Sequence, residues 1–184
     1  MVKYKVMKHV IVAIISLFFV VSCAESKKEE SSQKIEIKKV KTIKKVKAPK
    51  KKKMVVVDAD GVVNISMITD DRMKFNLRKI TVKAGQKIKL TLTHKGKLDK
   101  KIMGHNVVFL NKGVKVSTFA SKASGSQANG YIPEGTTDVL AYTKLVGGGE
   151  TTTIEFTAPA AGTYDYICSF PAHYAMMKGK LIVQ

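Results

Sequence analysis

The sequence predicts an all-β domain, an antiparallel sandwich or barrel, over residues 54–184. Three observations lead to this prediction. Apolar and polar residues alternate from Met54 on, and this period of two residues is that of a strand with one face buried. Glycine-bearing turns, KAGQ, VGGGE and PAAGTYD, separate the alternating runs. The runs are short, and short strands separated by frequent turns are typical of sandwiches and barrels.

The strand-like runs follow one another along the domain. In ITVKAGQKIKLTLTH (80–94), the positions expected to face the core are Ile80, Val82, Ile88, Leu90 and Leu92. The same period continues in TTTIEFTA (151–158) and GTYDYICSF (162–170). Residues 113–135 lack the alternation, so we expect a flap with a short helix there. The sequence contains no internal repeat and no phosphate-binding glycine loop.

The amino terminus has the features of an export signal, which we assign to residues 1–22. Three lysines precede an apolar run, residues 10–21, that is too short for a spanning helix. The run ends in VVSC (20–23), which resembles a bacterial lipoprotein box. That resemblance implies cleavage before Cys23 and lipidation of Cys23, the alternative being an uncleaved anchor. Either way, the protein is expected to be exported and tethered.

Residues 23–53 are predicted to form a disordered, lysine-rich tether after the lipidated cysteine. The segment is polar and poor in aromatic residues, so it cannot bury enough apolar surface to offset its chain entropy. Its lysines either contact anionic lipid headgroups or simply keep the linker solvated. The second interpretation is favoured.

The charge of the chain does not indicate a nucleic-acid partner. The 184 residues carry 33 basic and 14 acidic side chains, a formal net charge of +19. The first 54 residues hold 16 of the lysines and only four acidic residues, so the larger share of the charge lies outside the predicted β domain. The tyrosines and phenylalanines do not interleave with basic residues as on a nucleic-acid stacking surface.

The cysteine count restricts the chemistry of the domain. The chain has two cysteines, and lipidation consumes Cys23, which leaves only Cys168. An intramolecular disulfide, a zinc ribbon and a binuclear copper centre are therefore excluded in the mature chain. A lone thiol outside the cytoplasm is exposed to oxidation unless something occupies it.

The stretch CSFPAHYAMMKG (168–179) supplies the residues that could occupy this thiol with a metal. Its spacing is Cys-x4-His-x3-Met, and a thiolate, an imidazole and a thioether close together suit copper. A further donor is expected at His105, which follows Gly104 and opens a strand-like run. Taken singly, each residue has a plainer interpretation as core packing, whereas the joint spacing favours a metal site. Cysteine-protease chemistry needs a general base held by a third group, and it fits less well because a base five residues downstream on the same tight loop leaves no obvious substrate cleft.

The sequence resembles azurins, the bacterial blue copper proteins of the cupredoxin family. The similarity is carried by MGHN (103–106), CSFPAHYAMMKG (168–179), the segment 71–106 and AYTKLVGGGETTTIEF (141–156), in the same order. It covers roughly residues 55–184. The resemblance implies a cupredoxin-like Greek-key β-sandwich or barrel and a site for one Cu(I)/Cu(II) ion.

The resemblance also implies a role for each residue of the site. His105, Cys168 and His173 would be the trigonal ligands, with Met177 as the weak axial ligand in preference to Met176. The carbonyl of Gly104 would be a weak ligand on the opposite side. Asn106 would brace the ligand loop and Phe170 would keep water off the metal. An apolar electron-transfer patch over His173 would comprise Met73, Leu98, Met103, Pro171, Ala172 and Met176.

Two departures from the azurin pattern affect these expectations. Ala172 stands where azurins carry glycine, and the disulfide near the amino end of that family is missing.

His94 matches an azurin histidine that lies near the metal without binding it. The equal alternative is that His94 is a histidine packed within a strand.

The function implied is that of a single-electron carrier rather than an enzyme. We expect a membrane-tethered carrier in the cell envelope, most simply at the outer membrane facing the periplasm, with transient partners such as c-type cytochromes or reductases. Its tether would be the lipid anchor. The alternative function is an envelope lipoprotein for copper sequestration or delivery, which would release Cu(I) readily.

Overall fold

In the computed structural model, residues 53–184 are described, and they form two β-sheets with short helical segments. The strands, in chain order, are β1 (Val55–Val57), β2 (Val63–Thr69), β3 (Lys79–Val82), β4 (Lys87–His94), β5 (Val108–Leu110), β6 (Val139–Tyr142), β7 (Thr151–Thr157), β8 (Gly162–Ile167) and β9 (Lys178–Val183). The helices are α1 (Lys100–Met103) and α2 (Val116–Ser124), and single 3-10 turns span Gln127–Asn129 and His173–Ala175. The predicted β-sandwich is confirmed.

The sheets are mixed, so the expectation of purely antiparallel strands is wrong. One sheet has the order β1-β2-β4-β7 and the other β3-β9-β8-β5-β6. Strands β2 and β4 pair in parallel, as do β3 and β9. The chain leaves the first sheet after β2, contributes β3 to the second and returns beside β2, and such a crossover connection joins parallel strands. Alternation of side chains does not reveal this, because both kinds of strand have a period of two.

The core lies between the two sheets and is formed by the inward-facing positions of the alternating runs. The five residues predicted to face inward in β3 and β4 are all buried: Ile80, Val82, Ile88, Leu90 and Leu92. They join one cluster that extends to Phe109 on β5 and Cys168 beyond β8. The metal-site residues are thus continuous with the main core, which restricts their motion.

A second apolar cluster accounts for the helix predicted within residues 113–135. Helix α2 buries Phe119, Ala120 and Ala123. These side chains pack with Val108 and Leu110, the residues of β5 that alternate with Phe109. Strand β5 is therefore covered on both faces, which explains why all three of its residues are buried.

The predicted signal, the lipidation site at Cys23 and most of the tether lie outside the described residues and stay predictions, as do the domain boundaries. Neither helix found in residues 53–184 has the length and hydrophobicity that a bilayer crossing requires.

Candidate metal centre

Three donor side chains come together at one end of the sandwich because of the way β5 and β8 pair. The two strands are antiparallel neighbours, with Val108 opposite Ile167, so the start of β5 adjoins the end of β8. His105 lies just before β5, and Cys168 directly follows β8. His173 begins the 3-10 turn between β8 and β9. Residues far apart in the sequence thereby meet in a buried cluster.

The distances between the three donor atoms leave room for one transition-metal ion bonded to all three. The Sγ of Cys168 lies 3.8 Å from Nδ1 of His105 and 3.8 Å from Nδ1 of His173. The two Nδ1 atoms are 3.2 Å apart. The point equidistant from all three atoms lies about 2.1 Å from each, a usual metal–nitrogen distance and only slightly shorter than the about 2.3 Å of a metal–thiolate bond. The donors are therefore already arranged around a single ion.

A hydrogen bond orients the ring of His105 for ligation. Its Nε2 lies 3.1 Å from the main-chain oxygen of Asp70. A carbonyl oxygen only accepts, so Nε2 carries the proton and Nδ1 presents its lone pair to the centre. Partners of this kind fix the tautomer and the orientation of metal-ligating histidines.

Burial keeps the three donors uncharged when no cation is bound. Burial, with the neighbouring His173 and His94, lowers the pKa of His105 to about 4. Burial also lowers the pKa of His173 and raises the pKa of the Cys168 thiol to about 12. The backbone N–H groups of Asn106 and Phe170 act in the opposite direction on the sulfur and favour the thiolate. A cation bound between the donors would supply a positive charge that stabilises the thiolate.

Of the two adjacent methionines, only Met177 is buried. Met177 is fully buried, while Met176 is 46% exposed. The N–H of Cys168 donates to the Met177 carbonyl at 2.9 Å, which ties the two ends of the ligand loop together. On the other side, the Gly104 carbonyl oxygen is 3.9 Å from the Cys168 sulfur. A Cβ at Gly104 would clash with the backbone oxygen of Lys100 and approach the Leu145 side chain to 2.8 Å, so this position requires glycine.

Asn106 joins the ligand loop to the segment before β5 that carries His105. Its Oδ1 accepts from the Ser169 N–H at 2.9 Å, and its Nδ2 donates to the Gly130 carbonyl at 3.1 Å. Nδ2 also lies 2.8 Å from the Ser169 hydroxyl oxygen. The amide is fully buried and satisfied on both sides. Such a network holds Cys168 and His105 in register.

An aromatic layer covers His173. The ring centroids of Phe170 and His173 are 4.6 Å apart, and Tyr131 packs edge-on against Phe170 at 5.0 Å. Both Phe170 and Tyr131 are buried, and His173 is only 5% exposed. The imidazole of His173 is thus shielded from solvent over nearly all of its surface.

His94 lies beside the site without contributing a donor to it. Its ring stacks on His105 with centroids 4.7 Å apart. The Gly96 N–H donates to His94 Nδ1 at 2.9 Å, so Nε2 carries the proton that faces the Met103 carbonyl at 3.1 Å. Both ring nitrogens are occupied by protein partners, and the ring supports the orientation of His105.

The residues predicted for an electron-transfer patch lie in three segments of the chain, one of which includes helix α1. Met73, Met103 and Pro171 are half-buried, whereas Leu98, Ala172 and Met176 are exposed. Met73 lies three residues after Asp70, whose main-chain oxygen bonds to His105. Met103 bonds to His94.

Sequence reasoning missed Asp70, Ser169 and Tyr131. Asp70 acts through a main-chain oxygen, for which its side chain carries no signal. Ser169 and Tyr131 act through partners, Asn106 and Phe170, that only the fold brings to them. The position of Ser169 next to Cys168 was the one available hint.

Ala172 adopts a backbone conformation that suits glycine better. Its φ is 66°, in the left-handed region, where a Cβ costs about 1 kcal/mol. Two other non-glycine residues with positive φ, Met73 and Tyr131, lie in the same neighbourhood. Strain of this kind persists where the surroundings over-determine the backbone.

We therefore expect Ala172→Gly to raise the free energy of unfolding of the metal-free protein by about 0.5 to 1 kcal/mol. The matched control is Ala175→Gly, three residues on, where φ is not positive and glycine should destabilise by about the same amount. Denaturant unfolding measures both. Equal destabilisation by the two substitutions would show that Ala172 is not strained.

The two-sheet fold and the donor set together define a class of protein. Two imidazoles and one thiolate in a triangle, beside a buried methionine, suit a copper ion better than a hard cation or a four-thiolate zinc site. The domain is thus a cupredoxin whose His105–Cys168–His173–Met site fits a single copper ion.

Comparison with known proteins gives the family. The model of the copper binding proteins of the plastocyanin/azurin family matches residues 62–184, and the chain belongs to that family. It is 39% identical over 117 residues to azurin-2 of Alcaligenes xylosoxydans xylosoxydans, covering 61% of this chain and 91% of that protein. It is 36% identical over 115 residues to auracyanin-A of Chloroflexus aurantiacus, covering 61% and 68%.

Solved structures agree with the sequence relatives. Auracyanin A of Chloroflexus aurantiacus, described as a "blue" copper protein, superposes with a TM-score of 0.62 at 32% identity, covering 67% of this chain and all of that one. An azurin of Methylomonas sp. strain J, Az-iso2, gives a TM-score of 0.60 at 30% identity, covering 66% and 97%.

Proposed function

We propose that this protein is a single-electron carrier with a type 1 copper site, tethered in the cell envelope, that shuttles electrons between respiratory redox proteins. The observation that carries the proposal is the preformed triangle of Cys168, His105 and His173, with edges of 3.8, 3.8 and 3.2 Å. When bound, copper would supply the one-electron couple between Cu(I) and Cu(II). A buried, hydrogen-bonded set of donors resists rearrangement, and small rearrangement favours fast electron transfer.

We assign the axial positions to Met177 and Gly104. The complete burial of Met177 supports the first assignment, and the 3.9 Å between the Gly104 oxygen and the Cys168 sulfur supports the second. Asn106 is a positioning residue, because its side-chain amide bonds to Ser169 and Gly130 and is not one of the three donors. Phe170 excludes water by packing on His173.

The route for electrons is the edge of His173 beneath the apolar patch of Met73, Leu98, Met103, Pro171, Ala172 and Met176. The slight exposure of His173 supports this route, since a partner can approach the ring there without opening the site. Small apolar contacts suit brief redox encounters. Partners of this kind include c-type cytochromes and reductases, and Cys23 would hold the carrier at the outer membrane facing the periplasm.

The competing function, copper sequestration or delivery, makes opposite demands on the same site. Delivery needs an ion that leaves readily, whereas Cys168 and His105 are fully buried and the loop around them is closed by hydrogen bonds. This enclosure favours the carrier.

The discriminating experiment compares copper release with electron exchange. The purified chain, loaded with one copper, is incubated with a Cu(I) chelator while electron exchange between the reduced and oxidised forms is followed by NMR line broadening. We expect exchange to be many times faster than copper loss. Rapid transfer of Cu(I) to the chelator, with slow electron exchange, would replace the carrier proposal by the delivery one.

A further inference from the structure

The surface around the site is built from three segments, residues 70–74, 95–103 and 171–176, which we call the metal-end face. The first is tied to the site by the Asp70 oxygen, 3.1 Å from His105. The second is tied to it by the Met103 oxygen, 3.1 Å from His94. The Asp71 carboxylate accepts from the Lys97 N–H at 2.8 Å and joins the first two segments. The third segment contains His173 itself.

Half of the exposed large apolar side chains of residues 53–184 lie on the metal-end face, although its three segments are a small part of that range. Six large hydrophobic residues of the described chain are exposed, and three of them lie here: Leu98 (40%), Ile102 (65%) and Met176 (46%). Single exposed apolar residues need no explanation, but three around one buried site indicate a contact surface. Ile102, three residues before His105, was not among the predicted patch residues.

The charges on this face are predominantly positive and partly unpaired. Arg72 pairs with Asp70 at 2.6 Å and Lys100 with Glu150 at 2.9 Å. The remaining carboxylates, Asp71 and Asp99, accept backbone N–H groups, and Asp71 also lies 3.7 Å from His94. Four further lysines of the face take part in no ion pair within residues 53–184: Lys74, Lys95, Lys97 and Lys101.

We infer that the metal-end face docks an acidic redox protein, with the lysines orienting the encounter and the apolar residues forming the contact. The inference rests on the proposed carrier function and specifies its partner. A rim of unpaired lysines attracts a carboxylate-rich surface and repels a basic one. Charges act over about 8 Å at physiological salt, so lysines close to the site select the orientation that brings the partner to His173. Anionic lipid is the competing occupant, but a membrane has no need of the face that contains the electron exit.

The test compares two charge-reversal variants of equal net charge. The first carries Lys95→Glu, Lys97→Glu and Lys101→Glu on the metal-end face. The control carries Lys83→Glu, Lys87→Glu and Lys112→Glu. These three exposed lysines lie at the opposite end, because β4 runs from Lys87 to His94, β3 ends before Lys83, and Lys112 neighbours Gly162 at the start of β8.

Electron transfer from the copper-loaded full chain is measured with an acidic and a basic c-type cytochrome as probes. At low salt we expect the first variant to react at least tenfold more slowly with the acidic probe and faster with the basic one, since electrostatic steering contributes about 10- to 1000-fold. The control should change by less than about threefold, and 0.5 M salt should remove the difference. Equal effects of the two variants would overturn the inference.

A binding measurement without copper separates this inference from the carrier proposal. The metal-free full chain is titrated with the acidic cytochrome and followed by NMR. We expect the chemical shifts of the backbone amides in residues 95–103 and 171–176 to change in the wild type and not in the metal-end variant. If a blue, reversible copper site is present but the shifts lie elsewhere, only the docking inference fails. If the face binds vesicles of anionic lipid and not the acidic cytochrome, the occupant is a membrane and the inference is wrong.

Discussion

Replacing Cys168 with serine is expected to abolish the intense visible absorption of the copper-loaded protein. The band arises from charge transfer between a thiolate sulfur and Cu(II), and a serine hydroxyl at this position is neither ionised nor soft. Cys168 carries the only thiol in residues 53–184, and it is fully buried beside the two histidines. Changes to residues behind a ligand cost about 10- to 100-fold in metal affinity, so loss of the ligand itself should cost at least the upper value.

Absorption spectra during titration with Cu(II) measure both effects. The control is Ser169→Ala, which alters the neighbouring residue outside the donor triangle and should retain the blue band. The metal-free Cys168→Ser protein should remain folded, because serine is slightly smaller than cysteine, and circular dichroism checks this. A blue band that persists in Cys168→Ser would show that the sulfur is not a ligand.

Copper affinity is expected to increase about tenfold for each unit of pH between about pH 5 and pH 8, a total of about 1000-fold. In the metal-free protein, burial raises the pKa of the Cys168 thiol to about 12 and lowers the pKa of His105 to about 4. His105 is therefore neutral in this range, burial also favours the neutral form of His173 by lowering its pKa, and the thiol is protonated. The bound state holds one proton fewer than the free state, so raising the pH favours binding. Below about pH 4, protonation of His105 should steepen the dependence.

Competition with a chelator of known pH dependence gives the affinity, and calorimetry in two buffers of different ionisation enthalpy counts the released protons. Cys168→Ser should bind copper with almost no proton release over the same range, because no thiol remains to ionise. If the wild-type affinity is also independent of pH, the thiol is already ionised in the metal-free protein. The backbone N–H groups of Asn106 and Phe170 would then lower its pKa more than burial raises it.

The β-strands could be predicted from alternation, but their arrangement could not. Ile80 and Ile88 stand in similar patterns, yet they belong to strands in different sheets. Alternation records which side chains face inward and carries no information about the neighbouring strand. The parallel pairing of β2 with β4 depends on where the intervening strand goes. The packing of β7 against β4 likewise depends on contacts across the whole chain.

The sequence alone determined the chemistry that is available to this protein. With one cysteine in the β domain, a Cys-x4-His-x3-Met loop and His105 upstream, the donors can only form a small mononuclear site. Spacing of this kind is visible in the sequence because one short loop must bend several donors around one ion. The same limit on cysteines excludes a disulfide within the domain.

The tertiary structure decided how those donors are presented. It turns Nδ1 of His105 inward through the Asp70 carbonyl, buries Met177 while exposing Met176, and surrounds the Cys168 sulfur with apolar side chains. Hydrogen bonds from main-chain atoms, burial and shifted pKa values depend on which segments meet in space. Residues distant in the chain set all three, and for that reason only the folded domain could specify them.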